Sequence, residues 1–217
     1  MRPRTTQLAT LALVLGLAHS TTASAAPIIV ELNQSNVLTD RTGYLQVSIS
    51  EGMEGAIDFA VQVLDPLLQI AGENFGIQSF ALNVIPGGYA ESASVTDLPD
   101  GWIVRDAYRM ENFGLFDIKL YGGGASRLDT LNFSITGIDG DRPEDYAVLS
   151  TGNATDGHQA FAARVADLVP GTCSVKNCAA ITSAFFGGST AVPAPAAGWL
   201  FVTGGLLLAG RLRRRRA

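Results

Sequence analysis

Residues 116–121 read Phe-Asp-Ile-Lys-Leu-Tyr, and the alternation in this stretch decides the fold class. In an extended chain successive side chains point to opposite faces, so Phe116, Ile118 and Leu120 share one face and Asp117, Lys119 and Tyr121 the other. A helix would spread the three apolar residues around its circumference. The same period-two pattern recurs on both sides of this stretch. Leu131, Phe133 and Ile135 follow it downstream, as do Phe161, Ala163 and Val165. Phe59, Val61 and Val63, and then Phe80, Leu82 and Val84, carry it upstream. Weaker strands are expected over Ile28–Glu31, Tyr44–Ser50 and Trp102–Ala107. Turn signals such as Pro86-Gly87-Gly88, Gly122-Gly123-Gly124 and Asp139-Gly140 separate the runs. Leu67–Asn74 reads as a short helix or a loop, and no long amphipathic helix is present. Many short strands without long helices predict an all-β fold: an antiparallel β-sandwich, jelly-roll-like, built from residues 26–186.

The charge distribution separates this body from the two ends. Residues 26–191 hold 20 acidic and 8 basic residues, a balance of 8 − 20 = −12, whereas the chain as a whole carries −5. Such a body repels nucleic-acid phosphates and other anionic polymers, and nucleic-acid binding is not expected.

Residues 1–25 have the three parts of a secretory signal peptide. Arg2 and Arg4 make the positive start, Leu8–Leu17 the apolar stretch, and Ala23-Ser24-Ala25 the small-x-small exit, with cleavage expected after Ala25. Ten apolar residues are too few to cross a hydrocarbon core about 30 Å thick. The C-terminus shows a second ordered set: a Pro-containing motif over residues 192–197, an uncharged segment over 196–210, and a basic end over 211–217. Residues 187–191 are expected to be a short tether ahead of it. The uncharged segment, Ala196–Gly210, spans about 22 Å as a helix at about 1.5 Å per residue. The charged tips of Arg211, Arg213, Arg214, Arg215 and Arg216 extend its reach and favour the cytoplasmic side, and Trp199 suits the opposite interface. A transmembrane helix with the body outside and the C-terminus in the cytoplasm follows, in agreement with the signal peptide. Composition alone leaves open whether this helix is a plain anchor or a processed tail.

These last 26 residues resemble the PEP-CTERM sorting signal, in its Val-Pro-x-Pro-Ala variant. Val192, Pro193, Pro195, Ala196 and Ala197 match the motif, and Ala194 stands where the family's name-giving motif has Glu. The resemblance implies that the tail is recognised by an exosortase, a membrane-embedded cysteine protease. It further implies a Gram-negative host, often one that makes an exopolysaccharide matrix or biofilm. The Sec translocon, the inner membrane and an exosortase-like protease are then the expected partners, with exopolysaccharide as a further candidate. The chain would be held transiently in the inner membrane and end at the cell surface or in the extracellular matrix. Ahead of the tail, GHQAFAARVADL and SAFFGG resemble the last strands of ectodomains found with such tails, which implies a sandwich and names no activity.

The chemistry in the body is sparse. After signal removal His158 is the one histidine, set in an Asp156-Gly157-His158 turn. No Gly-x-Ser-x-Gly elbow accompanies it in the body, and no catalytic residue, cofactor or metal site is expected. Cys173 and Cys178 meet an oxidising compartment after export and are expected to pair as a loop staple; free thiols are the other reading. The acidic loop Asp139–Asp145 reads as a solvated turn, with calcium binding the alternative. Trp102, Tyr89, Tyr108 and Tyr121 read first as core or edge packing; the alternative is a sugar-stacking platform, with Trp102 the candidate glycan contact. The expected function is a non-catalytic exported surface or matrix protein. The alternatives are a carbohydrate-binding or adhesion module on the same tail, and then a secreted hydrolase.

Overall fold

The computed structural model describes residues 26–84, 94–169 and 181–189, and the backbone of residues 191–192. The expected signal peptide (residues 1–25), both cysteines, Tyr89, Pro193–Ala197, the apolar segment and the basic end lie outside the described residues. Among the described residues no helix is long and apolar enough to cross a membrane.

The strands run in chain order as β1 (Ile28–Leu32), β2 (Gln34–Ser35), β3 (Leu45–Glu51), β4 (Ile57–Val63), β5 (Ala71–Leu82), β6 (Val95–Thr96), β7 (Ile103–Met110), β8 (Gly114–Tyr121), β9 (Thr130–Ile135), β10 (Phe161–Leu168), β11 (Ser183–Gly188) and β12 (Ala191–Val192). One α-helical turn, α1 (Asp65–Leu68), takes the first two residues of the ambiguous Leu67–Asn74 stretch, and β5 begins at Ala71 within it. The fold is all-β. Two antiparallel six-stranded sheets form two layers, one in the order β12-β1-β3-β4-β9-β6 and the other β2-β11-β10-β5-β8-β7.

The apolar alternation builds the space between the layers. In β4 the residues Ile57, Phe59, Val61 and Val63 are buried while Asp58 and Gln62 are exposed. Phe59 and Phe133, paired across β4 and β9, stack at 4.8 Å between centroids. Phe80 of β5 meets Phe133 from the opposite layer at 5.9 Å, and Tyr44 meets Phe186 at 5.0 Å. One apolar cluster therefore spans both sheets.

Phe116 departs from the expected face. Ile118 and Leu120 join the main core, but Phe116 packs with Ala81, Met110, Phe113 and Ala162 in a second cluster. The reason lies in the pairing. β8 meets β5 only over Ile118–Tyr121, so its first half leaves β5 and continues as a hairpin with β7, bridged on its far side at Leu115 by Thr151. Within that hairpin Ala107 takes a left-handed φ of 48°, and the tip folds onto small residues of β5 and β10. Gly187 is essential to this seat: a Cβ there would lie 2.8 Å from the Phe113 ring and 2.7 Å from Gln159 Cγ.

The expected tether is also corrected. Gly187 and Gly188 complete β11, and Ala191 pairs with β1. A Cβ on Gly188 would meet the Glu31 carbonyl at 2.2 Å, so this glycine allows β11 to approach β1 closely. The body therefore extends to Val192 instead of ending at residue 186. Pairing gives the edge of β1 a partner, which an exposed strand edge otherwise lacks.

Candidate functional site

The two outer faces of the body differ in chemistry. On the outer face of the β4 sheet, Ser48, Ser50, Asp58, Asn132, Ser134 and Thr136 line an open groove of about 790 Å³. Ser134 donates to Asp58 Oδ1 at 2.7 Å, and Met53, 88% exposed, stands at the rim. This groove offers hydroxyl, amide and carboxylate groups and no cation.

The outer face of the other sheet collects cations and aromatic rings. The register Arg105–Lys119–Ala81–Ala162–Gly187 forms one row, and Tyr121–Ser79–Arg164–Phe185 the next. The alternation of β8 explains the placement, since Ile118 and Leu120 enter the core and Lys119 and Tyr121 turn away from it. Lys119 Nζ sits 3.6 Å from the centroid of Tyr108 and 5.6 Å from that of Tyr121. The Arg164 guanidinium lies 5.5 Å from the Phe185 ring. Partial burial, then the Arg105 and Arg164 charges, lower the Lys119 pKa from 10.5 to about 8. The cation–π contact with Tyr108 favours the ammonium form and opposes this shift.

Of the proposed platform residues, Tyr108 and Tyr121 therefore share one face, and Trp102 does not join them. Trp102 is 6% exposed and belongs to the core. Its indole N–H donates to the Ser126 carbonyl at 2.7 Å, and its ring lies over Gly122. It has no free face for a sugar, which corrects its reading as a glycan contact. Nothing in the local sequence marks it as core, because Gly122 supplies the necessary space from twenty residues away.

His158 is exposed, and its Nδ1 lies 3.3 Å from Ser150 Oγ, a proximity that the sequence did not reveal. Ser150 is buried, donates its single proton to the Phe113 carbonyl, and accepts the Gln159 N–H at 3.2 Å. The Phe113 carbonyl thus competes with His158 for the Ser150 proton, and the direction of the Ser150–His158 contact depends on the imidazole tautomer. The contact braces the β7–β8 hairpin tip. Asp156, the nearby carboxylate, accepts instead from Asn112 at 2.9 Å.

The acidic loop has an internal use as well. Tyr146 is fully buried, stands edge-on to Phe59 at 5.2 Å and donates to Asp141 Oδ2. Burial, and then the Asp141 contact, hold the Tyr146 pKa far above its usual value. Asp145 accepts the Arg142 N–H at 3.0 Å. Among the described residues no group of three or more Asp, Glu, His or Cys converges on a point that would hold a metal ion.

At the other end of the molecule, β12 pairs antiparallel with β1 in the register Ile29↔Val192 and Val30↔Ala191. The antiparallel sense brings the chain out after Val192 at the same end of β1 where it enters before Ile28. Val192 is the first residue of the Pro-containing stretch 192–197, which therefore starts at the edge of the folded body. No family model, curated protein or solved structure matches this chain.

Proposed function

We propose that this chain is an exported, non-catalytic surface or matrix protein whose C-terminal tail is read and processed by an exosortase-like membrane protease. The Ile29↔Val192 register is the structural observation that supports this reading most. It brings residue 28 and residue 192 to one end of the β1–β12 pair, which suits a reading in which the signal peptide precedes the one and the sorting tail follows the other. Both membrane-directed segments thus leave the body side by side, and the body can clear the membrane while the tail is held. The sequence supports the same reading through a positive, apolar N-terminus and a Pro-motif, apolar segment and arginine end arranged in order. The protein is the substrate of that reaction, carried to the cell surface or an exopolysaccharide matrix. Its two-layer body is jelly-roll-like in the sense that the chain crosses repeatedly between the layers, at β1–β2–β3, β4–β5 and β8–β9–β10.

The test compares the full chain with a chain ending at Val192, each produced in a Gram-negative host carrying an exosortase. The full chain should pass through a membrane-bound form and yield a shorter, surface-exposed product. The truncated chain should be exported without a membrane stage. Identical fractionation of the two would refute the sorting role of the tail.

A second reading, a carbohydrate-binding or adhesion body on the same tail, is favoured by Tyr108 and Tyr121 sharing an outer face with Lys119. A ring-and-cation surface of this kind suits sugars better than the buried Trp102 does.

A further inference from the structure

β10 and β5 fall out of register between Arg164 and Val165, which oppose Ser79 and Ile77 and leave Gln78 unpaired between them. A bulge of this kind re-aims side chains. Beside it, Gln78, Arg127, Arg164, Asp167, Thr182 and Ser183 line a recess of about 190 Å³.

The polar groups of this recess are incompletely used. Arg164 donates through one terminal nitrogen to Ser183 Oγ at 3.0 Å, and Arg127 donates to the Asn74 carbonyl at 2.9 Å. The Nε of each arginine is buried and has no hydrogen-bond partner. Gln78 Oε1 is likewise buried without a partner, as is Ser79 Oγ next to it outside the recess, and both residues are more than nine-tenths buried. Buried polar atoms without partners are rare in folded proteins and call for an explanation. One carboxylate, Asp167, also lines the recess, and its Oδ2 already accepts the Asn74 N–H at 2.6 Å.

The body's charge of −12 opposes an acidic polymer at long range, so only a local cluster of cations can hold one. Arg105, Lys119, Arg127 and Arg164 are half of the eight basic residues in a body of charge −12. Three of them repel one another closely enough that Arg105 and Arg164 perturb Lys119. Clustering scarce cations on one face raises the free energy of the empty face, and a bound anion lowers it. A planar guanidinium pair suits an oxyanion, and an adjoining row of Tyr121 and Phe185 suits a sugar ring.

We propose that this recess and the row beside it bind an acidic polysaccharide, with one carboxylate or sulfate of the chain seated between Arg127 and Arg164. This deepens the carbohydrate-binding reading and depends on it; it does not depend on tail processing. Anionic lipid is disfavoured by position, because the tail and the N-terminus leave from β1 and β12 of the other sheet.

The experiment titrates the mature protein purified from the exporting host with oligogalacturonate (carboxylate), dextran sulfate (sulfate), neutral dextran, and phosphatidylglycerol vesicles. Binding to one or both acidic glycans, weakening with salt, is expected. Arg127→Gln and Arg164→Gln should each weaken it about tenfold or more. Arg142→Gln, in the Asp139–Asp145 loop, should leave it unchanged. Preference for the carboxylate or the sulfate chain identifies which oxyanion the recess takes. Arg127 lies outside the strands, so Arg127→Gln carries the test if Arg164→Gln does not fold. The proposal is overturned by no binding to either acidic glycan, by equal binding of wild type and variants, or by binding to vesicles alone. Retention of neutral dextran alone would overturn it while leaving the broader carbohydrate reading standing.

Discussion

Gly122→Ala gives the sharpest test of the packing that removes Trp102 from the surface. A Cβ at Gly122 would lie 2.2 Å from Trp102 Cε2, 2.4 Å from Nε1 and 2.6 Å from Cδ2. These are rigid ring atoms, and the hydrogen bond to the Ser126 carbonyl at 2.7 Å opposes their retreat. Gly122 itself is buried, and its N–H donates to the Gln78 carbonyl at 2.9 Å, so the backbone is held too. Overpacking of this kind costs about 1–3 kcal/mol, and a contact with an immobile ring belongs at the upper end. Trp102→Ala removes a core side chain and costs about 3–5 kcal/mol. In that background the added methyl enters the vacated space and its cost falls toward zero. The two changes should therefore be non-additive by about 1–3 kcal/mol. Urea unfolding followed by far-ultraviolet circular dichroism measures each variant of the mature protein. A Gly122→Ala cost below about 0.5 kcal/mol, or the same cost in both backgrounds, would refute the packing argument.

Two further outcomes follow from the buried and crowded ionisable groups. Tyr146→Phe removes a hydrogen bond to a carboxylate and should destabilise the protein by about 1.5–3 kcal/mol in chemical unfolding. Because the folded-state pKa of Tyr146 is raised, wild-type stability should fall as pH rises above about 10, where the unfolded tyrosine ionises first, and Tyr146→Phe should lose this decline. Lys119 has the opposite sign: its folded pKa lies below its unfolded value, so the unfolded chain holds more protons from about pH 8 to 10.5, and stability rises with pH across that window. Lys119→Met should abolish that rise, which thermal unfolding at pH 8, 9 and 10 will detect.

Much of the fold is legible in the sequence because apolar alternation is a local signal. β4, β8, β9 and β10 are visible as runs of Phe, Val, Ile and Leu at every second position. β2, β6 and β12 are not, since each is two residues long and exists only through pairing with a partner distant in sequence. The same limit explains the tether. Gly187 and Gly188 look like flexible chain, but their missing side chains let Phe113 and β1 pack close. Trp102 follows this rule as well, since an exposed platform and a core residue differ by whether Gly122 lies beneath the indole. Tyr108 and Tyr121 were recognisable as aromatic candidates. Their meeting with Lys119, and the Arg127–Arg164 recess, depend on strand register and a bulge that no local pattern encodes.

The central claim concerns delivery: a body whose two ends emerge together is passed through a membrane and released from its tail. The intact mass of the protein recovered from the cell surface or matrix of its host tests this most directly. The account predicts a chain that begins at Ala26 and ends within or before Val192–Ala197, without the arginine end. Recovery of the uncut chain from Met1 to Ala217 in the cytosol would contradict it.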